Sequence, residues 1–452
     1  MQTLYTVRLY LSLSILALTL IFTSCSSDDG EQVAGEIAEE STPHIVLIIS
    51  DDQAWTDYSF MGHEQIATPH IDKLAEEGKT FTRGYVPTSL CSPSLVSIIT
   101  GLYPSSHKVL GNDRAFERSE DRAKNKMRRA DAYAPVIGEF EALNTLPDIL
   151  KQQGYLSFQT GKWWLGNYAN GGFDYGMTHG DPDRGGRHGD NGLTIGRDGM
   201  DTIYQYIDYA VEQQKPFFLW YAPFLPHSPH TPPDSLLQKY RSTTDSEFVA
   251  KYQAMCEWFD ITCGQLSDYI DQKGLMENTL FVYVCDNGWV QSVDSRRYNK
   301  NSKRSPNDYG TRTPIIYKWK GKIIPAIDTT SLVSSIDILP TVLSLLDIKA
   351  PDDIKGINVL EEGRLNERDA IFGEIYAHDF STIDSSLYYK IVYTDPYKLI
   401  VPDHKNKPNE ESKLFNIFDD PFEQNNLAGE KPEVVEALDE ALGDFWSGQT
   451  EM

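Results

Sequence analysis

The chain has 452 residues, of which 40% are hydrophobic, 12% aromatic and 24% charged. That is enough apolar mass for a large core, and it excludes disorder over most of the length. Forty-one Lys and Arg against sixty-six Asp and Glu leave a net charge of −25, which excludes a general nucleic-acid binder. An anion site here must be built locally, from a few cations and backbone N–H groups.

At the N-terminus, Arg8 is the only charge before an apolar run of fourteen residues, Leu9 to Phe22. A membrane-spanning helix takes about 20 apolar residues, so residues 1–24 read as a signal peptide. Phe-Thr-Ser precedes Cys25, and these residues resemble a bacterial lipoprotein cleavage box. The acidic Ser-Ser-Asp-Asp-Gly that follows looks like the export tag of surface lipoproteins. A lipidated Cys25 tethers a chain to a membrane without spanning it. Residues 25–42, polar and without pattern, then form a flexible stalk. The expected address is an exported one, as a periplasmic, outer-membrane or cell-surface lipoprotein.

From Pro43 onward, short apolar runs alternate with helical patterns. Ile45–Ile49, Leu156–Gln159, Phe217–Tyr221 and Leu280–Val284 predict strands buried on both faces. Residues 144–153, 200–214 and 246–273 predict helices. In the last, Phe248, Tyr252, Met255, Cys256, Phe259, Cys263, Leu266 and Ile270 fall at helical spacing. This alternation argues for an α/β fold, a large mostly parallel sheet sandwiched by helices, over residues 43–369. Within it, 166–199 holds eleven of the thirty-two glycines, interleaved with Asp, Arg and His, the texture of a functional loop. From 370 to 452, strand-like runs at Ala370–Tyr376, Leu387–Tyr393 and Tyr397–Val401 precede a helix at 432–446. They predict a smaller antiparallel sheet plus helix. Cys256 and Cys263, seven apart on one helix, are separated by about 10.5 Å of rise, beyond the roughly 7 Å a disulfide bridges. Cys285 reads as a small buried hydrophobe.

In open α/β sheets, ligands bind beyond the carboxyl ends of the strands. The predicted strands end in Ser50-Asp51-Asp52, Thr160-Gly161-Lys162, Ala222 leading to His227, and Asp286-Asn287-Gly288. Each piece alone also reads as a turn or cap. Their agreement at one sheet edge is the argument. Carboxylates so close repel unless a cation holds them, and oxygen ligands of this kind suit Ca²⁺ or Mg²⁺ rather than zinc. Ser92 as cap and Pro93 at the first helical position predict a helix running to Thr100-Gly101. Cys91 then stands at a helix N-terminus, where the free N–H groups favour anions and a reactive thiol; a small buried cysteine is the other reading.

Cys91-Ser92-Pro93-Ser94 with Thr100-Gly101 resembles the signature of type I sulfatases, Cys/Ser-x-Pro-x-Arg with Thr-Gly downstream. The resemblance implies that a maturation enzyme oxidises Cys91 to formylglycine (3-oxoalanine), whose hydrated aldehyde attacks the sulfur of a sulfate ester. Asp51-Asp52 and Asp286-Asn287 are similar to the family's metal ligands. The implied ligand set is Asp51, Asp52, Cys91, Asp286 and Asn287, for calcium, with magnesium as the alternative. Gly161-Lys162-Trp163 resembles the sulfate-binding lysine motif. Lys303, nine residues before Arg312-Thr313-Pro314, resembles the second sulfate-binding lysine. His227 in Pro226-His227-Ser228-Pro229-His230 is similar to the histidine at the leaving oxygen. Leu414-Phe415, Asp420-Pro421, Glu423 and Asn426-Leu427 resemble the closing pattern of these enzymes. The ordered set spans about residues 43–440.

Two positions depart from that pattern. Leu95 stands where the signature has arginine. Trp164 stands where Gly-Lys-Trp is normally followed by the histidine that releases bound sulfate; His107 and His188 are the candidate replacements. Because the carboxylates and both lysines persist, the expectation is a divergent working subgroup.

The expected activity is hydrolysis of sulfate monoesters on a polysaccharide or oligosaccharide. Lys162 and Lys303 would stabilise the transferring group, His227 would protonate the departing oxygen, and oxidised Cys91 would form a covalent sulfate intermediate. The basic cluster Arg296, Arg297, Lys300, Lys303 and Arg304 would draw a polyanion against the global charge. The run from Arg114 to Arg129 reads as a solvated helix face. The alternatives are a phosphodiesterase or phosphonate hydrolase of the alkaline phosphatase superfamily, or a surface lipoprotein that binds glycans without turnover.

Overall fold

The structure is a computed structural model describing residues 42–181, 183 and 186–450. The expected signal segment, Cys25 and the stalk as far as residue 41 lie outside the described residues. Among the described residues, no helix is long and apolar enough to cross a membrane.

The first ten strands are β1 His44–Ser50, β2 Lys79–Tyr85, β3 Asp113–Arg114, β4 Leu156–Gly161, β5 Tyr175–Gly176, β6 Phe217–Ala222, β7 Thr279–Cys285, β8 Arg312–Trp319, β9 Ala326–Asp328 and β10 Val333–Ser334. Nine of them form one sheet in the order β10-β2-β8-β7-β1-β6-β4-β5, with β9 beside β2. Only β8 runs antiparallel, to β7 and β2. The sheet is therefore mostly parallel, as the alternation predicts.

Both faces are covered because the central strands are apolar at every position. Ile45, Leu47 and Ile49 of β1 join Phe218, Trp220, Leu280 and Val282 in one core with the helix Cys91–Thr100. Val46 and Ile48 join Leu219, Tyr221, Phe281 and Tyr283 in another with the helices Asp201–Glu212 and Glu247–Gln272. The period of two sends alternate residues to opposite faces, and each face finds a helical stripe. The Glu247–Gln272 helix starts where Ser246 accepts a bond from the Val249 N–H at 3.3 Å. Within it, Asp260 accepts from the backbone N–H of Ile71 at 2.8 Å and of His70 at 3.1 Å. It thereby satisfies the free donors at the start of the neighbouring helix Pro69–Glu76.

The C-terminal strands are β11 Ile371–Tyr376, β12 Asp379–Phe380, β13 Leu387–Tyr393, β14 Tyr397–Pro402 and β15 Lys413–Asn416. The second sheet has the order β11-β13-β14-β15, antiparallel throughout; β12 instead pairs with β3. One face of this sheet, with Val392, Leu399 and Leu414, meets Leu438 and Leu442 of the helix Pro432–Thr450. The other, with Ile391, Tyr393 and Phe415, meets Tyr85 of the large sheet. Between the sheets, Lys398 is fully buried and ion-pairs with Asp308 at 2.8 Å and Glu423 at 2.5 Å. Glu423 in turn accepts from the Asn307 side chain at 2.6 Å and the Asp308 N–H at 3.0 Å. The small sheet thus grips the loop that carries Lys303.

Candidate active site

Strand register builds the site. Ser50 of β1 lies opposite Cys285 of β7, so the next residues, Asp51 and Asp286, emerge side by side. Backbone bonds continue past the strands, from Asp286 N to Ser50 O at 2.9 Å and from Asp51 N to Leu225 O at 3.1 Å. On the other flank Gly161 pairs with Ala222. A Cβ at Gly161 would stand 1.8 Å from the Ala222 carbonyl, and its φ is +76°, so only glycine allows this approach. Lys162 follows it directly to the same edge. Asp52, at φ +67°, departs from the strand in a left-handed conformation costly for a non-glycine residue.

The side chains meet in one buried shell. Lys162 bonds Asp51 and lies 3.5 Å from Asp286 Oδ2. Lys303 Nζ is 2.5 Å from Asp52 Oδ1 and 3.1 Å from Cys91 Sγ. The Asn287 amide donates to Asp52 Oδ1 at 2.7 Å, and Asp52 N donates to Asp286 Oδ1 at 3.1 Å. The His227 Nδ1–H donates to the Ser228 carbonyl at 2.5 Å. That leaves the Nε2 lone pair 3.4 Å from Asp52 Oδ2, acceptor facing acceptor. The structure thus brings together Asp51, Asp52, Cys91, Lys162, His227, Asp286, Asn287 and Lys303.

Burial sets the electrostatics. It would raise Asp52, but the Lys303 ammonium above all, together with Lys162, holds this carboxyl well below the usual range. Asp51 goes up through burial, against the pull of Lys162 and with repulsion from Asp286 and Asp52. Burial favours neutral lysines, yet Asp51 keeps Lys162 charged and Asp52 keeps Lys303 charged. Three carboxyl groups and the Asn287 amide thus face two ammonium groups in the shell. Asp51 Oδ2, Asp52 Oδ2 and Asn287 Oδ1 are buried acceptors with no hydrogen-bond partner among the described residues. Such orphaned oxygens are costly. These oxygen donors fit a hard divalent cation. The acceptor atoms of Asp51, Asp52 and Cys91 lie within 4.8 Å of one another.

The Cys91 helix differs from its expected start. Leu90 is the extended cap, Cys91 the first helical residue and Pro93 the third. The cause is Asn112, whose side-chain oxygen takes the Ser92 N–H at 2.9 Å and so serves this helix end in place of a Ser92 cap. The thiol also differs from the reactive one expected of a helix end. Burial pushes it up to about 11, outweighing Lys162 and Lys303. Burial thus favours the neutral thiol over the thiolate, which makes the unmodified sulfur a poor nucleophile here.

A cavity of about 230 Å³ opens over this shell, lined by Cys91, His227, Lys303, Arg304, Trp164 and His188 among others. His188 is held there because its carbonyl accepts the Trp163 N–H at 2.9 Å. Its Nε2 accepts from Arg187 at 2.6 Å. Burial and then the Arg187 charge lower it to about 3. His107 does not line the cavity; it is enclosed beside Ser97 Oγ at 3.0 Å. Leu95 is buried among core side chains. Arg296 and Arg297 are exposed and, unlike Lys303 and Arg304, are not in the cavity wall. The run Arg114–Arg129 is not simply a solvated face: Arg129 lines a second cavity beside the first. Asn112, Arg187, Trp289 and His378 also line the reaction cavity. Sequence reasoning missed them; a turn-like Gly-Asn-Asp and a glycine-rich loop were the only signals.

Comparison with known proteins gives the arrangement its family. The sulfatase profile matches residues 43–348, and the profile described as N-sulphoglucosamine sulphohydrolase, C-terminal, matches residues 298–446. An ulvan-active sulfatase of Formosa agariphila is 26% identical, the alignment covering 92% of this chain and 83% of the relative. An N-acetylgalactosamine-6-O-sulfatase of Bacteroides thetaiotaomicron is 23% identical, over 88% of this chain and 92% of the relative. A protein solved in complex with its substrate D-glucosamine-2-N,6-O-disulfate shares the fold, with a TM-score of 0.69 at 18% identity, over 91% and 98% of the two chains. The chain belongs to the sulfatase family, enzymes that hydrolyse sulfuric esters.

Proposed function

We propose that this enzyme removes sulfate from a sulfated polysaccharide or oligosaccharide, and that it is a working member of the family despite Leu95 and Trp164. The observation that carries this reading is the set of orphaned oxygens of Asp51, Asp52 and Asn287, gathered with two charged lysines around position 91. Relatives named for ulvan and for N-acetylgalactosamine-6-sulfate support a carbohydrate substrate.

Asp51, Asp52, Asp286 and Asn287 would hold calcium, with position 91 completing the set. Bound there, the ion would neutralise sulfate oxygens and polarise the attacking group. A formylglycine at position 91, made by a maturation enzyme from Cys91, would supply that group as its hydrate. Lys162 and Lys303, kept protonated by Asp51 and Asp52, would bind the sulfate oxygens and stabilise charge in transfer. His227, with its Nδ1–H fixed on Ser228, presents Nε2 toward the departing sugar oxygen; a second proton taken there is the one it would deliver. Of the two histidines weighed as replacements, only His188 reaches the cavity wall, and its Nε2 would have to leave Arg187 before it could take a proton. The net reaction is R–O–SO₃⁻ plus water giving R–OH and hydrogen sulfate.

We further infer an exported lipoprotein anchored through Cys25, at the outer membrane, cell surface or periplasm. Its catalytic part spans 43–369 and its C-terminal α+β part 370–452. Peptide mass mapping of residue 91 in protein from its native host tests the chemistry. The expected result is replacement of the thiol by an aldehyde, with sulfate released from sulfated oligosaccharides. An intact thiol together with no release from any sulfate ester removes the proposal. Turnover of a phosphodiester in preference to an aryl sulfate would favour the phosphodiesterase alternative, and polysaccharide binding undiminished by Cys91→Ala, without turnover, the binding lipoprotein.

A further inference from the structure

The reaction cavity does not end at Trp164. A second cavity of about 390 Å³ shares Asn112, Trp164, Arg187 and His188 with it, so the two lie side by side along that wall. Its floor is the helix Arg122–Phe140, which offers Ala130, Tyr133, Ala134 and Ile137. Tyr133 OH bonds Ser92 Oγ at 2.9 Å, so this floor is tied to the helix that carries position 91.

The polar groups of the second cavity are cationic in excess. Arg187 Nε donates to Asp113 Oδ1 at 2.7 Å and its Nη2 to Oδ2, and Arg129 Nε stands 3.7 Å from the same carboxylate. Two guanidinium groups thus share one carboxylate. The nearby Asp379 is already taken, by Arg118 at 2.9 Å and by His378. Arg129 Nε is buried without a hydrogen-bond partner, and so is Nε1 of Trp164, a residue only 5% exposed. The Arg187 guanidinium lies 4.7 Å from the Trp164 ring centroid. In a protein of net charge −25, this is a locally built anion site. An aromatic and aliphatic wall beside unspent N–H donors suits a sugar ring carrying an acidic group.

We propose that this cavity binds the sugar next to the one losing sulfate, and reads an anionic substituent on it through Arg129 and Arg187. The substituent is a carboxylate or a second sulfate. The inference rests on the sulfated-glycan reading above and narrows it, from sulfate esters on carbohydrates to those flanked by an acidic residue.

Calorimetric binding to the Cys91→Ala protein tests it without turnover. Three sulfated disaccharides serve as probes, with the neighbouring unit neutral, a uronate, or sulfated. The acidic probes are expected to bind about tenfold tighter than the neutral one, each contact being charge-assisted. The uronate and disulfate arms separate the two sources of charge. Arg129→Gln should erase the advantage, and Ala134→Trp, which fills the cavity and leaves both arginines in place, should erase it as well. Equal affinity for all three probes, or an advantage that survives both substitutions, overturns the proposal. Sulfate release by the unsubstituted protein without any acidic preference removes the second cavity and leaves hydrolysis standing. Acidic preference without release from any ester does the reverse.

Discussion

The Lys303 ammonium stands 3.1 Å from the Cys91 sulfur while resting 2.5 Å from Asp52 Oδ1. One cation therefore ties position 91, proposed to carry the nucleophile, to a carboxylate proposed to hold the ion. Replacing it would remove the proposed donor to the transferring group, and it leaves Asp52 buried without its counter-charge. Lys303→Ala is expected to lower kcat/KM by about 10²–10³. Sulfate release measured by ion chromatography checks this; a loss below tenfold would place the lysine outside the reaction.

Calcium should stabilise the folded protein. The shell keeps three unsatisfied oxygens, so an ion that binds only the folded state adds about 3–4 kcal/mol at 100- to 1,000-fold excess over its Kd. Melting curves with calcium and with chelator should differ clearly, and Asp286→Ala should erase the difference. Identical melting of the unsubstituted protein under both conditions would speak against an ion at these carboxylates.

If His227 acts on the leaving group as proposed, its contribution should depend on the ester. For a sugar sulfate, whose alkoxide leaves badly, His227→Ala should cost about 10²–10⁴ in turnover. For an aryl sulfate with an acidic phenol the loss should be far smaller. An equal loss on both esters would indicate a positioning role instead.

Asp260 gives a pH signature remote from the site. Burial raises it from 3.8 to about 7, the Ile71 and His70 N–H groups notwithstanding. Since the folded value is raised, the stability it contributes is full below about pH 4 and is lost as pH climbs through 7. The loss amounts to up to about 4 kcal/mol. Asp260→Asn keeps an acceptor for the helix and carries no charge. Urea melts should therefore show the variant gaining on the parent protein between pH 4 and pH 8; a gap independent of pH would contradict this.

Much of this was legible in the residues. The β1, β6 and β7 runs are apolar on both faces, β4 is buried though Ser157 and Gln159 alternate with Leu156 and Phe158, and the polar endings of all four announced a shared edge. The strands β2 and β8 were not legible. Their sequences contain Arg83 and Arg312, which read as exposed until tertiary partners are known. Arg83 is satisfied by the Ile417 carbonyl at 2.9 Å and by the Phe418 ring, and Arg312 lies 4.0 Å from the Trp55 ring centroid. Asn112 was hidden for a similar reason, since its bond to Ser92 spans twenty residues and no local pattern encodes it. Local periodicity reports which face is buried; it is silent on which distant donor a buried polar group will find.

The grip of Lys398 on Asp308 and Glu423 has a consequence for anyone who edits this gene. Nearly every reacting group is encoded before residue 304, so a truncation after β13 looks harmless on paper. It would nonetheless strip the clamp from the segment behind Lys303 and let that lysine drift. An early stop codon there should read as an inactive enzyme with an intact set of chemical parts, and shuffling tails between homologues will succeed only when the clamp travels with its loop.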